Sequence, residues 1–148
     1  MSVRRWVLAG LAVVTAGCSL PRWPVDGPMT SAFGLRFRGL SPGIHRGVDL
    51  VAPEGTPVRA MTRGTVRFAG VQRGYGNVVW LDHGSGVLTV YAHLSRIHVE
   101  TGGRVDARQV IGLSGSTGDA AGAHLHFEVW RWGREVDPVP LLGGRPGG

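Results

Sequence analysis

The sequence predicts a turn-dense, mainly β domain, on three observations. Its 148 residues include 25 glycines and 9 prolines, spread between short apolar runs with no collagen-like period. The stretch Gly122-Ala123-His124-Leu125-His126-Phe127-Glu128-Val129-Trp130 alternates polar with apolar residues, the pattern of a half-buried strand. No segment carries convincing helical periodicity over about ten residues, and no internal repeat has solenoid spacing. The length suits one domain that buries a core unaided, and the single cysteine excludes an intrachain disulfide framework.

The chain begins with a targeting pattern. Arg4 and Arg5 precede a short apolar run, Val7 to Val14, which is too short for a comfortable membrane span. Thr15-Ala16-Gly17-Cys18 then resembles the bacterial lipobox, departing from it in Thr15, where leucine is usual. Residues 1–17 are therefore read as a lipoprotein signal peptide and Cys18 as the lipidated N-terminus, with an ordinary or uncleaved leader as the alternative. Ser19 stands where an aspartate often signals inner-membrane retention, so the expected location is the periplasmic face of the outer membrane. The rest of 18–28 holds three prolines and reads as a stiff linker, reaching about 35 Å at full stretch.

The folded domain is expected over 29–140. Met29 to Phe33 reads as a first strand, and Gly34 to Gly43 as a loop rich in glycine and arginine. His45 and Asp49 could share a helix face, but Gly47, Pro53 and Pro57 argue against a helix. His45 is placed on a loop and Asp49 at the start of a strand, Val48 to Val51. Pro57 to Ala60, Gly64 to Ala69, Asn77 to Leu81 and Val87 to Ala92 follow as short strands, with Gly84-Ser85-Gly86 as a hairpin loop. Gly102-Gly103 and Gly112 to Gly118 read as turns or loops, and the chain turns again at Gly133. Residues 141–148 are expected to be a flexible tail.

The net charge of +6 comes from arginine alone, because the chain contains no lysine. No nucleic-acid-binding motif accompanies it, so nucleic acid is not an expected partner. Lipid headgroups or cell-wall polymers fit a scattered positive charge as well, as does a merely solvated surface.

The chemistry concentrates in histidines. In the alternating segment Leu125, Phe127 and Val129 face a core, while His124, His126 and Glu128 share the other face. The two histidines stand roughly 6.5–7 Å apart along the strand, so one can hold a metal while the other leans over it. A catalytic zinc takes three protein ligands and leaves a position for water. His45, Asp49 and one of the strand pair supply such a set. Tyr91-Ala92-His93-Leu94 adds a histidine at a predicted strand end, and His83 and His98 receive no role.

The order of HxxxD, YAHL and HLHFE resembles the lysostaphin-like or LytM-type zinc metallopeptidases, which cleave peptide bonds in bacterial peptidoglycan. The likeness runs from about Pro28 to Pro138 and includes His45-Arg46-Gly47-Val48-Asp49-Leu50, Ala52-Pro53-Glu54-Gly55-Thr56-Pro57-Val58 and Gly74-Tyr75-Gly76-Asn77. Ala123 departs from the proline common before the HxH. The resemblance implies a compact antiparallel barrel-sandwich, the duplicated hybrid motif, with an open active-site groove. It implies one zinc per chain held by His45, Asp49 and His126, with His93 and His124 as catalytic histidines assisting a zinc-bound water. It also implies a monomeric endopeptidase with peptidoglycan as its partner. Glu128 is either a carboxylate that orients a ligand imidazole or a solvent-facing strand residue. Tyr75 and Asn77 either line the groove or pack its loop.

Two rivals stand beside this reading. Some LytM-type proteins lack the metal ligands and act as regulators of other cell-wall hydrolases, but the constellation here has no gap. Thr56-Pro57-Val58-Arg59-Ala60 and Gly103-Arg104-Val105 resemble biotinyl and lipoyl carriers, which need a lysine that this chain lacks.

Overall fold

The computed structural model describes residues 20–38 and 41–147. Cys18 and the leader read before it lie outside the described residues. The strands are β1 (Met29–Ser31), β2 (Gly34–Arg38), β3 (Ser41–His45), β4 (Val48–Leu50), β5 (Pro57–Arg59) and β6 (Gly64–Gln72). They continue as β7 (Gly76–Asp82), β8 (Val87–Ile97), β9 (Arg104–Val105), β10 (Val110–Ser114), β11 (Leu125–Arg131) and β12 (Arg134–Val136). Among the described residues one short helix, α1 (Pro138–Leu141), is capped by the Asp137 carboxylate, which accepts from the Val139 N–H.

The large sheet runs β1-β4-β11-β8-β7-β6-β9, with β12 beside β11 and antiparallel pairing in every neighbouring pair. The far end of β8 pairs with β10, which pairs in turn with β5. Val58 and Ile111 from those two strands join Leu50, Leu81, Tyr91, Leu125, Phe127 and Val129 in one core cluster. The sheet is thus folded over a single apolar filling, and the compact antiparallel β architecture expected from the sequence is what the chain forms. Its other face carries a smaller cluster of Val78, Val90 and Ala92, with Tyr75, Trp80 and Trp130 packed against it. His126 lies on this outer face of β11.

Several local expectations need correction. The stretch read as a loop from Gly34 forms a two-stranded hairpin, β2 with β3, and His45 ends β3 instead of lying on a loop. Its apolar side chains Leu35, Phe37 and Ile44 are all exposed, so no burial pattern marked it as a sheet. Gly112 sits inside β10, opposite Ile97, although its neighbourhood reads as a loop. The segment before Met29 is docked: Val25 is buried, Trp23 packs edge-on to Phe127, and the Trp23 indole N–H donates to the Gly144 carbonyl. That last bond also ties down the tail expected to be free.

A buried polar chain crosses the core beneath β8. The Tyr91 hydroxyl accepts from the Met61 N–H at 2.9 Å and lies 3.0 Å from the Thr89 hydroxyl, which is 2.7 Å from His83 Nε2. Burial pushes the Tyr91 phenol up to about 12 and holds His83 below its ordinary pKa. Both groups are therefore neutral at pH 7 and bond as dipoles. Tyr91→Phe leaves the Met61 N–H without its partner, a loss of about 1–3 kcal/mol. Urea unfolding of the variant against wild type measures it; an unchanged midpoint would show that the bond contributes nothing.

Candidate metal centre

Strands β4 and β11 are neighbours, and Asp49 pairs directly with His126. Val48, Leu50, Leu125 and Phe127 all face the core, so the alternation puts Asp49 and His126 together on the opposite face. His45 reaches them from the end of β3 because Gly47 lets the chain lie on β11. A Cβ at Gly47 would stand 2.3 Å from the Phe127 carbonyl oxygen and 2.8 Å from Glu128 Cγ.

Three donor atoms converge. His45 Nε2 is 3.2 Å from Asp49 Oδ1, His126 Nδ1 is 2.8 Å from the same oxygen, and the two nitrogens are 3.2 Å apart. Ligands at zinc distances of about 2.0–2.1 Å in a tetrahedron stand roughly 3.3–3.4 Å from one another. The triangle is close to one face of such a tetrahedron. Two imidazole nitrogens and a carboxylate oxygen at these separations need a cation between them, whether a proton or a metal. The donor set fits zinc.

The outer nitrogens of both imidazoles are fixed. His45 Nδ1 donates to the Ala32 carbonyl at 2.8 Å, leaving Nε2 to the cluster. His126 is turned the other way: Nε2 lies 2.9 Å from Glu128 Oε1, so Nδ1 faces the cluster. Glu128 is fully buried, which removes the alternative of a solvent-facing strand carboxylate. Its Oε1 also accepts from the Tyr75 hydroxyl at 2.8 Å, and its Oε2 from the Trp130 indole at 2.6 Å.

Burial raises the Asp49 carboxyl, but hydrogen bonds from His126 and His45 outweigh it and hold it well below the usual carboxylate range. Burial likewise depresses His126, yet bonds to Asp49 and Glu128 carry it up to about 9. Without metal, the cluster keeps a proton on His126. Burial also raises Glu128, and its bonds from His126, Trp130 and Tyr75 pull it net downward, so it is ionised.

A carboxylate behind a ligand imidazole fixes the ring's tautomer and increases its basicity. Glu128→Gln keeps the shape and one acceptor oxygen but loses the charge. Zinc affinity is expected to fall about 10-fold, the lower end for such partners, with the fold retained. Competition with a calibrated chelator measures it, and an affinity equal to wild type would remove Glu128 from the site.

His93 and His124 stand over the same groove. His93 interrupts β8: Asn77 pairs with Leu94 and Val79 with Tyr91, so β8 carries one extra residue there. Its φ of 62° is left-handed. Strict alternation would send the side chain of residue 93 to the core side with Tyr91. The bulge re-aims it to the site. His93 Nδ1 donates to the Thr117 carbonyl at 2.8 Å, and His124 Nδ1 to the Gly122 carbonyl at 2.8 Å. The two rings lie 4.8 Å apart, and His93 lies 5.9 Å from His126. His124 Nε2 is 3.7 Å from Asp49 Oδ1, outside the three-atom set. Burial holds His93 below its ordinary pKa, in the neutral form.

Gly76 builds the wall behind His93. With φ of 67°, a Cβ there would stand 2.4 Å from atoms of Thr117, the residue that fixes the His93 ring. Asn77 is a packing residue: its amide donates to the Leu94 carbonyl, and its N–H to the Thr117 hydroxyl. Tyr75 does line the groove. Arg36, Arg73 and Asp119 line it too, and nothing in the sequence marked them.

Known proteins resemble this chain in sequence and fold. DD-carboxypeptidase/endopeptidase Mpg of Neisseria meningitidis serogroup B is 44% identical over 115 residues, covering 76% of this chain and 26% of Mpg. Murein hydrolase activator EnvC of Escherichia coli K12 is 38% identical over 133 residues, covering 87% of this chain and 31% of EnvC. The chain thus spans about a quarter to a half of the length of the curated relatives it matches. A zinc-containing peptidase from Vibrio cholerae superposes with a TM-score of 0.75 at 36% identity, covering 80% of this chain and 38% of that one. The catalytic domain of lysostaphin from Staphylococcus simulans gives 0.74 at 35% identity, covering 80% and 94%. The model of Peptidase family M23 matches residues 43–138, which hold the whole donor set and both further histidines, and the chain belongs to that family.

Proposed function

We propose that the chain is a zinc-dependent endopeptidase that hydrolyses the peptide crosslinks of bacterial peptidoglycan. One observation carries the reading: a three-atom donor cluster and two further imidazoles open onto one groove. The endopeptidase name of Mpg and the zinc of the Vibrio cholerae peptidase support it.

His45, Asp49 and His126 would hold one zinc per chain, and the ion supplies Lewis acidity towards a carbonyl and acidifies water. His93 and His124 handle protons. Each has its Nδ1 tied to a backbone carbonyl, which leaves Nε2 to the groove. The neutral imidazole of His93 suits it to accept the proton of the attacking water. Water oxygen bonds to the carbonyl carbon, the C–N bond breaks, and the amine leaves with a proton returned from an imidazole. An imidazolium beside the carbonyl oxygen stabilises the negative charge that develops there.

Digestion of purified peptidoglycan, with fragments identified by mass spectrometry, tests the reading. Zinc-dependent release of peptides cut within the crosslinks is the expected result. EnvC carries a second reading, since that relative is named a murein hydrolase activator. Absence of any cut peptide, together with stimulation of a cell-wall amidase by the same protein, would favour it. The envelope placement rests on the sequence: we propose a lipid anchor at Cys18, and a mature N-terminus elsewhere, found by mass spectrometry, would refute it.

A further inference from the structure

The segment that leads from Cys18 into the fold has little slack. It is strapped along the domain: the Arg22 N–H donates to the Met61 carbonyl, the Arg59 N–H to the Pro24 carbonyl, and Arg108 Nη1 to the Trp23 carbonyl. Val25 is buried beneath the strap. Leu20, where the described residues begin, is 79% exposed. It stands two residues after Cys18, about 7 Å at full stretch. Most of the stretch read as a linker is therefore part of the domain, and any attachment at or before Cys18 is delivered close to Met61.

That end of the molecule is rich in arginine. Two residues beyond Met61, Arg63 lines a cleft of about 680 Å³ together with Arg67 and Arg104. Arg104, Thr65 and Asp82 stand side by side on β9, β6 and β7, on the face turned away from the buried Val66, Leu81 and Val105. Arg22 and Arg108 line a neighbouring hollow beside the strap. Arg67 Nη1 lies 3.5 Å from Asp82 Oδ2, which leaves that pair neutral. Arg22, Arg63 and Arg104 are exposed and make no ion pair among the described residues. Across the two hollows five arginines stand against three aspartates, Asp26, Asp82 and Asp106, which leaves a charge of +2.

We propose that this arginine end is a docking face for an anionic phospholipid surface, and that it holds the domain with the metal groove turned away from the bilayer. A guanidinium is a planar fork of donors that matches a phosphate in two parallel hydrogen bonds, and it stays charged at every working pH. Near an anionic bilayer each arginine is worth about 5-fold in affinity. The strap sets which end of the domain meets the membrane, and the arginines make the contact. The groove stays clear of it. Leu88 pairs with Asp82 at the cleft, and Ala92, four residues on in β8, pairs with His126, about 13 Å farther along the sheet. No groove residue takes part, so the docking face stands whether or not the chain cuts peptides. Because the arginines are solvated, the contact weakens as salt is raised.

Arginine footprinting on the full chain, reconstituted in vesicles, tests the docking face. Phenylglyoxal modifies guanidinium groups, and mass spectrometry reads each arginine separately. In phosphatidylglycerol vesicles Arg22, Arg63 and Arg104 are expected to react about 10-fold more slowly than in phosphatidylcholine vesicles, with Arg36 and Arg73 at the groove unchanged. The attachment is the same in both vesicles, so the difference reads docking and not anchoring. Arg104→Gln should lower the protection of Arg22 and Arg63 about 5-fold at an unchanged melting temperature, and Arg104→Lys should keep most of it because the charge remains. Equal reaction in the two vesicles, protection of Arg36 and Arg73 instead, or a chain that fails to associate with phosphatidylglycerol vesicles overturns the proposal. Equal protection by inorganic phosphate without vesicles would give the cleft to a soluble phosphate and overturn membrane docking as well.

Discussion

His93→Ala and His124→Ala are expected to keep zinc and fold while hydrolysis of peptidoglycan falls by about 10²–10⁴. The geometry separates these rings from the donor set. His124 Nε2 stands 3.7 Å from Asp49 Oδ1, and the His93 ring centre is 5.9 Å from that of His126. Each is anchored through Nδ1 to a backbone carbonyl, so its loss removes a proton-handling Nε2 and little else. Interactions made mainly in the transition state lower kcat and kcat/KM together when removed. Equal losses in both constants, with zinc at one per chain, are therefore the expected signature. A rise in KM at unchanged kcat would mean that these histidines bind substrate and do not handle its protons. Zinc loss in His124→Ala with zinc kept in His126→Ala would reverse the two strand histidines.

The alternation that turns His126 and Glu128 away from the core was legible, and the bulge that aims His93 and the hairpin that ends in His45 were not. Leu125, Phe127 and Val129 are buried in the core as their alternation requires, and His126 and Glu128 fall on the other face. The same rule failed one strand away. Val87 to Ala92 reads as a strand that ends before His93, yet β8 continues to Ile97. The bulge at His93 shifts the alternation by one residue, so the second half of the strand has the wrong phase for a continuous reading. β2 and β3 were missed for a different reason, since a hairpin whose apolar residues stay exposed leaves no amphipathic pattern to find.

Long-range contacts account for the rest. The Tyr75–Glu128 bond joins residues 53 apart, and nothing near either one announces it. Glu128 looks like any strand carboxylate until Tyr75, His126 and Trp130 are seen around it. The two ligand histidines also use different nitrogens, Nε2 of His45 and Nδ1 of His126. That choice is set by where the Ala32 carbonyl and Glu128 stand, which spacing alone does not specify.

His45→Ala, Asp49→Ala and His126→Ala are each expected to abolish stoichiometric zinc, and hydrolysis with it. A three-ligand site has no spare donor, and the binding energy of a structured site depends on all of its ligands at once. Asp49 is the most damaging loss. Its Oδ1 is the atom shared by both other donors, and its removal leaves two imidazole nitrogens facing each other at 3.2 Å. In metal-free wild type, the Asp49 carboxylate stabilises the fold above its unfolded pKa of 3.8, a contribution lost as pH falls through its depressed folded value. The His126 proton contributes fully below 6.5, and that contribution is lost as pH rises through about 9. Zinc bound at His126 Nδ1 would have to displace this proton, so uptake near pH 7 is expected to release a proton and to tighten as pH rises towards 9. Metal analysis after gel filtration, with calorimetry in buffers of different ionisation enthalpy, measures both. Wild-type zinc content in all three variants would dismantle the assignment, and zinc uptake without proton release would show that His126 is not a ligand.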